Sequence, residues 1–213
     1  LQRHRVGRHA SASMVRAPLP PASADSTHQS SASEPRLVSV GYRVATMRLT
    51  AEIRYPDSDP AAVFAMLTDR AFQERKCAAT GSLAYEVEVA TYEDGGARIS
   101  TDRTLPSDSV PEFVRRFVGG TVRVSEHDDW QPEGPDGART GEVVVEILGA
   151  PVRLTGTLWL GRDGADVVHR VEGDLKASVP LIGSKIEKAA EPAIQGAIRV
   201  EERTGRAWLA EKA

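Results

Sequence analysis

The stretch Val179-Pro180-Leu181-Ile182-Gly183-Ser184-Lys185-Ile186-Glu187-Lys188-Ala189-Ala190-Glu191-Pro192-Ala193-Ile194-Gln195-Gly196-Ala197-Ile198-Arg199-Val200, continuing to Ala210, decides the fold. Ile182, Ile186, Ala189, Ala193, Ala197 and Val200 recur at spacings of three and four, whereas Lys185, Lys188, Glu191, Gln195, Arg199 and Glu202 fall largely elsewhere, so the spacing predicts one long amphipathic helix. At a rise of 1.5 Å per residue, about 28 residues from Gly183 span roughly 42 Å, enough to cross a small sheet. Pro192 interrupts the pattern; it removes one helical hydrogen bond and is expected to kink or break the helix.

The residues before this helix supply the sheet. Met47, Leu49, Ala51, Ile53 and Tyr55 alternate with Arg48, Thr50, Glu52 and Arg54, the period of a half-buried strand. Asp59 followed by Pro60 predicts the start of a short helix over 60–67, and 69–79 reads as a second. Alternating runs at 83–92 and 97–105 join through Asp94-Gly95-Gly96, a hairpin turn. Val110 to Val118 is expected to be a short helical or irregular, lid-like piece whose Phe113 and Phe117 would cover a cavity mouth. Further strands are expected at 121–130, 141–148, 152–160 and 165–179, with short connections that make antiparallel neighbours. Strand, two helices, about six strands and a long helix is an α+β order.

Composition narrows the function classes. The chain has 213 residues, with room for one domain and a tail. Residues 1–46 hold six arginines against Asp25 and Glu34, a net of +4, which leaves −7 for residues 47–213 in a chain whose total is −3. A body that acidic disfavours nucleic acid as a partner. Residues 1–46 are rich in Ser, Ala, Pro and Arg and are expected to be a disordered extension, read as a non-native addition or as a leader, with Met47 a candidate start. The domain is expected to occupy 47–213. No apolar run reaches the roughly 18 residues of a membrane span, so no stable membrane insertion is expected. Cys77 stands alone, which excludes an internal disulfide and suits a cytoplasmic setting.

The element order, with Pro56-Asp57-Ser58-Asp59-Pro60-Ala61-Ala62-Val63-Phe64 after the first strand and Met66-Leu67-Thr68-Asp69 closing the first helix, resembles the START-like (SRPBCC) superfamily over residues 47–210. The segment from Val179 to Glu187 also resembles the helix start of an uncharacterised actinobacterial family within it, known only as a domain of unknown function. The resemblance implies a helix-grip fold: a curved antiparallel sheet of six to seven strands wrapped around the C-terminal helix, with a hydrophobic tunnel used for lipids, sterols, polyketides or other apolar molecules. No catalytic residues carry over, because the superfamily has no common catalytic set.

Strand parity places Arg103 with Ile99 and Leu105, Glu126 with Val122 and Val124, and His169 with Val167 and Val171, so all three are expected to point inward. Inward charge must be paired. Two readings follow: a polar cluster for a ligand head group, with His169 available as a general base, or a structural arrangement in which the strand ends turn outward or Arg103 and Glu126 pair. Ile186, Ala189 and Ala193 on the helix, with Phe113 and Phe117, complete the expected binding residues. No nucleotide loop, nucleophile motif or metal-ligand spacing is present, so neither cofactor nor metal is expected. The expected function is binding or carriage of an apolar or amphipathic small molecule; the alternatives are a cyclase- or hydrolase-type enzyme using the same cavity, or a ligand-free module. The sequence does not define the oligomeric state.

Overall fold

The computed structural model describes residues 46–108 and 110–212. The expectation for the N-terminal extension lies outside the described residues. The elements are β1 (Met47–Tyr55), α1 (Pro60–Leu67), α2 (Arg70–Ala79), β2 (Ala84–Thr91), β3 (Ala97–Pro106), α3 (Glu112–Val118), β4 (Thr121–Trp130), β5 (Arg139–Leu148), β6 (Val152–Asp163), β7 (Asp166–Ala177) and α4 (Gly183–Lys212). Asp59 caps α1 by accepting from the Ala61 N–H at 3.1 Å, with Pro60 at the first helical position, and Asp69 caps α2 through Ala71 at 2.8 Å.

All seven strands form one antiparallel sheet in the order β1-β7-β6-β5-β4-β3-β2. Strands β2 to β7 run as a meander, and β1 closes the far edge by pairing with β7, Ile53 opposite His169. The helices α1 and α2 carry the chain from one edge to the other. Register puts Ile99, Asp128, Val143, Gly156 and Gly173 in one row across the inner face. Two adjacent glycines there let the backbones close up: a Cβ on Gly173 would stand 3.0 Å from the Thr155 carbonyl oxygen, and one on Gly156 would collide with that of Glu172. The sheet curves around α4, and the architecture is the expected α+β helix-grip fold.

Helix α4 lies against β1, β7, α1 and α2. Its packed face runs through Ile186, Ala190, Ile194, Ile198, Thr204, Gly205 and Trp208. That stripe is rotated from the expected one. Ile186 is buried as expected, but Ala189 lies half-buried at the margin and Ala193 is exposed, so Ala193 does not face the sheet. The larger Ile194 and Ile198, one position on, make the better seam. Pro192 sits inside a continuous helix on its exposed side and does not break it. The helix is held at several points. Glu187 accepts from the Ala177 N–H at 2.9 Å, Phe72 meets the Trp208 ring edge-on at 5.7 Å, and Gly205 admits Tyr55 so closely that a Cβ there would lie 2.6 Å from its ring.

This packing yields a paired test. Gly205→Val is expected to destabilise the domain by about 1–3 kcal/mol through overpacking against Tyr55. Ala193→Phe, on the outer side, is expected to stay within about 0.5 kcal/mol of the parent. Urea unfolding measures both, and a large loss in Ala193→Phe would refute the rotated stripe.

Candidate functional site

The inner face of the sheet carries a row of buried charge. Arg103 on β3 donates from Nη2 to Oε2 of Glu126 on β4. The other Glu126 oxygen lies 3.6 Å from Lys76 Nζ on α2. Lys76 donates to Oε2 of Glu201 on α4 at 3.2 Å, and the second oxygen of Glu201 lies 3.1 Å from Nδ1 of His169 on β7. Sheet, α2 and α4 thus meet in one line, Arg103, Glu126, Lys76, Glu201, His169, in which cation and carboxylate alternate as far as Glu201. Asp128 sits two residues beyond Glu126 on the same face.

Local sequence explains each placement. Arg103, Glu126, Asp128 and His169 hold inward positions of their strands. Lys76 follows Phe72 by one helical turn and shares its buried face with Gln73 and Cys77. Glu201 follows Ile194 and Ile198 by seven and three residues, which keeps it on the seam of α4.

Burial would push each of these groups toward its neutral form, and their partners decide the outcome. For Lys76, burial lowers the pKa, but Glu201 and Glu126 outweigh it, so the ammonium is held well above its usual range. Burial raises Glu201, and Lys76 and His169 overcome it, leaving the carboxylate well below the usual range. Glu126 likewise ends low because Arg103 and Lys76 offset its burial. Asp128 is the exception. Burial and the neighbouring Glu126 both push it well above the carboxylate range, and the nearby cations do not compensate. The ionised Glu201 is an acceptor, so His169 presents an N–H to it from Nδ1 and turns Nε2 toward the inner face without a partner.

Seven buried polar atoms make no hydrogen bond within the described residues: Tyr55 Oη, Gln73 Oε1, Thr101 Oγ1, Arg103 Nε, Asp128 Oδ1, Trp130 Nε1 and His169 Nε2. All belong to inward strand positions or to the buried face of α2. The Trp130 and His169 rings are 5.4 Å apart, which puts two of these atoms in one neighbourhood. Toward the end of the sheet where β7 finishes and β2 and β4 begin, the inner face turns apolar through Val122, Val124, Val145 and Ile147. That end also carries Leu83, Tyr85, Phe117 and Leu181, four of the five exposed large hydrophobic residues among those described.

The expected site residues divide clearly. Arg103, Glu126 and His169 are brought together, with Lys76 and Glu201 linking His169 to the Arg103–Glu126 pair. Phe113 is half-buried against the core, whereas Phe117 is 38% exposed with the Arg116 guanidinium over its ring. Ile186 is part of the core, and Ala193 points away. Lys76, Asp128 and Glu201 join the row from outside the expected set. The parity of Glu126 and Trp130 marks Asp128, and a helical seam drawn through Ile194 and Ile198 marks Glu201. Two recesses of about 530 Å³ each open on the outer face, one beside Glu146, Arg153 and Lys176 and one around Trp159, Arg170 and Glu172; neither lies beneath α4. Among the described residues no cluster of His, Cys, Asp and Glu fits a metal, and no helix is long and apolar enough to cross a membrane.

Comparison with known families matches residues 50–209 to the model of DUF2505, described as a protein of unknown function. The chain belongs to the DUF2505 family. Among curated proteins none matches it in sequence. The DUF2505 domain superposes on TTHA0849 from Thermus thermophilus with a TM-score of 0.53 and 16% identity, over 78% of this chain and 99% of that one. The Zhui aromatase/cyclase from Streptomyces sp. R1128 gives 0.53 at 7% identity, over 79% and 96%. Human STARD10 gives 0.51 at 8%, over 78% and 66%. These likenesses are of fold alone, the helix-grip arrangement of a curved sheet and a long C-terminal helix.

The electrostatics predict opposite behaviour for two buried acids. The folded-state pKa of Glu201 is depressed, so its contribution to stability is present above the unfolded carboxylate value of about 4.3 and is lost as pH falls below it. Glu201→Gln leaves Lys76 undercompensated and is expected to cost about 3–5 kcal/mol at pH 7. The folded-state pKa of Asp128 is raised, so its contribution is present below about 3.9 and is lost as pH rises through the folded value. Asp128→Asn is therefore expected to be at least as stable as the parent at pH 7. Denaturation midpoints across pH 3–8 check both, and a severe loss in Asp128→Asn at pH 7 would show that Asp128 is ionised.

Proposed function

We propose that this domain binds an amphipathic small molecule on the concave side of the sheet, with the polar end at the Arg103 to His169 row and the apolar body along Val122, Val124, Val145 and Ile147. The carrying observation is the set of unpartnered buried atoms at Thr101, Arg103, Asp128, Trp130 and His169, since buried polar groups are nearly always satisfied. A partner offering both a donor and an acceptor would meet them. The exposed apolar residues at the same end of the sheet suit the entry of such a molecule. The lone Cys77, buried and with its thiol pKa raised by burial, suits a cytoplasmic setting.

A second reading rests on one contact. His169 is anchored to Glu201 through Nδ1 and keeps Nε2 unpartnered, the arrangement of a general base oriented by a carboxylate. The aromatase/cyclase named above shares the fold, and with this pair it supports a proton-transfer enzyme as the alternative.

Nile red, an uncharged dye that brightens in apolar surroundings, tests the binding reading. The parent is expected to bind it saturably. Val145→Trp, which fills the inner face beside Glu126, is expected to weaken binding at least tenfold while the protein stays folded. A parent that binds no dye, with Val145→Trp destabilised by about 1–3 kcal/mol, would identify a packed module.

A further inference from the structure

We propose that the polar end of the ligand is uncharged, an alcohol, ketone or amide rather than a carboxylate, phosphate or ammonium group, and that the row of alternating charges is what imposes this choice. The inference rests on the binding reading above and names the ligand class for the same site.

The argument is a balance of charge in a buried place. The row holds two permanent cations, Lys76 and Arg103, and two carboxylates, Glu126 and Glu201. Each cation already has a carboxylate within ion-pair distance, and Lys76 is shared between both. An incoming anion therefore finds no uncommitted cation, and must compete with Glu126 or Glu201 while losing its own hydration. An incoming ammonium finds both row carboxylates engaged as well: Glu126 by Arg103 and Lys76, Glu201 by Lys76 and His169.

Asp128 is the one acid that would alter the balance. It is buried within the influence of Glu126 and Glu201, and both its burial and the proximity of Glu126 favour the protonated form, which donates a hydrogen bond without adding charge. The groups left unpartnered are hydrogen-bonding groups rather than spare charges. Arg103 Nε and Trp130 Nε1 donate; Thr101 Oγ1 does either; His169 Nε2 adds a ring nitrogen. A hydroxyl, a carbonyl or an amide answers that mixture. Selection arises because every charged head leaves one charge in the row unbalanced.

The experiment compares heads on one apolar body. Dodecan-1-ol and dodecan-2-one below their solubility limits, and dodecanoate and dodecylammonium below their micelle concentrations, compete at pH 7 with Nile red for the full chain. The alcohol and the ketone are expected to displace the dye at concentrations at least tenfold lower than either ion. Glu126→Gln, which removes one negative charge and leaves the row with an excess cation, is expected to shift the dodecanoate-to-dodecanol affinity ratio at least tenfold toward the anion. Preference of the parent for dodecanoate or dodecylammonium would overturn the inference while leaving the binding reading intact, and so would an unchanged ratio in a folded Glu126→Gln. Should Glu126→Gln fail to fold, the order of the four compounds on the parent decides alone. Failure of the parent to bind Nile red or any of the four overturns both.

Discussion

Lys76 stands between two carboxylates inside the domain, Glu126 from the sheet and Glu201 from α4, and the rest of the architecture is arranged so that this contact closes. A buried ammonium is tolerable only when it is surrounded by opposite charge. Helix α2 must therefore lie within reach of β4, and α4 must cross with Glu201 turned inward. The seam of α4 achieves this with isoleucines above Glu201 and with Gly205 and Trp208 below it. The ion row adds little net stability, because desolvation offsets most of the attraction. Its effect is on register, since a rotation of α4 by one residue would strand Lys76 and His169 together.

Curvature of the sheet is the second condition. Gly156 and Gly173 share a row with Asp128 and bring neighbouring backbones closer than side chains would permit. The bend draws the inward faces of β3, β4 and β7 toward one another, which is how Trp130 and His169 come within ring contact although β5 and β6 lie between their strands. A flat sheet with the same sequence would hold the charges of the row too far apart to pair.

Much of this is legible in the residues alone. The alternation in β1 and the Asp59-Pro60 start of α1 are local signals, and local physics decides them. Strand parity likewise puts Arg103, Glu126 and His169 on one face correctly. The helix seam is harder to read, because Ala189, Ala193 and Ala197 carry the same period as Ala190, Ile194 and Ile198, and only the sheet's demand for larger side chains chooses between the two stripes. Lys76 and Glu201 are illegible for a related reason. A charged residue on a helix is ordinarily solvated, and its burial here depends on a partner 125 residues away in sequence, which no local pattern encodes.

That separation has a consequence for biosynthesis. Lys76, Arg103 and Glu126 leave the ribosome well before Glu201, so the growing sheet and α2 together hold two cations against one ionised row carboxylate until α4 emerges. Chains are made at about 5–20 residues per second, which leaves an interval of several seconds with the row incomplete. Throughout it the last helix is the missing counter-ion as well as the missing lid. Glu201 and the face of α4 that covers the sheet belong to one helix, so a nascent chain stalled short of Glu201 would lack both the second carboxylate for Lys76 and the cover of the apolar inner face.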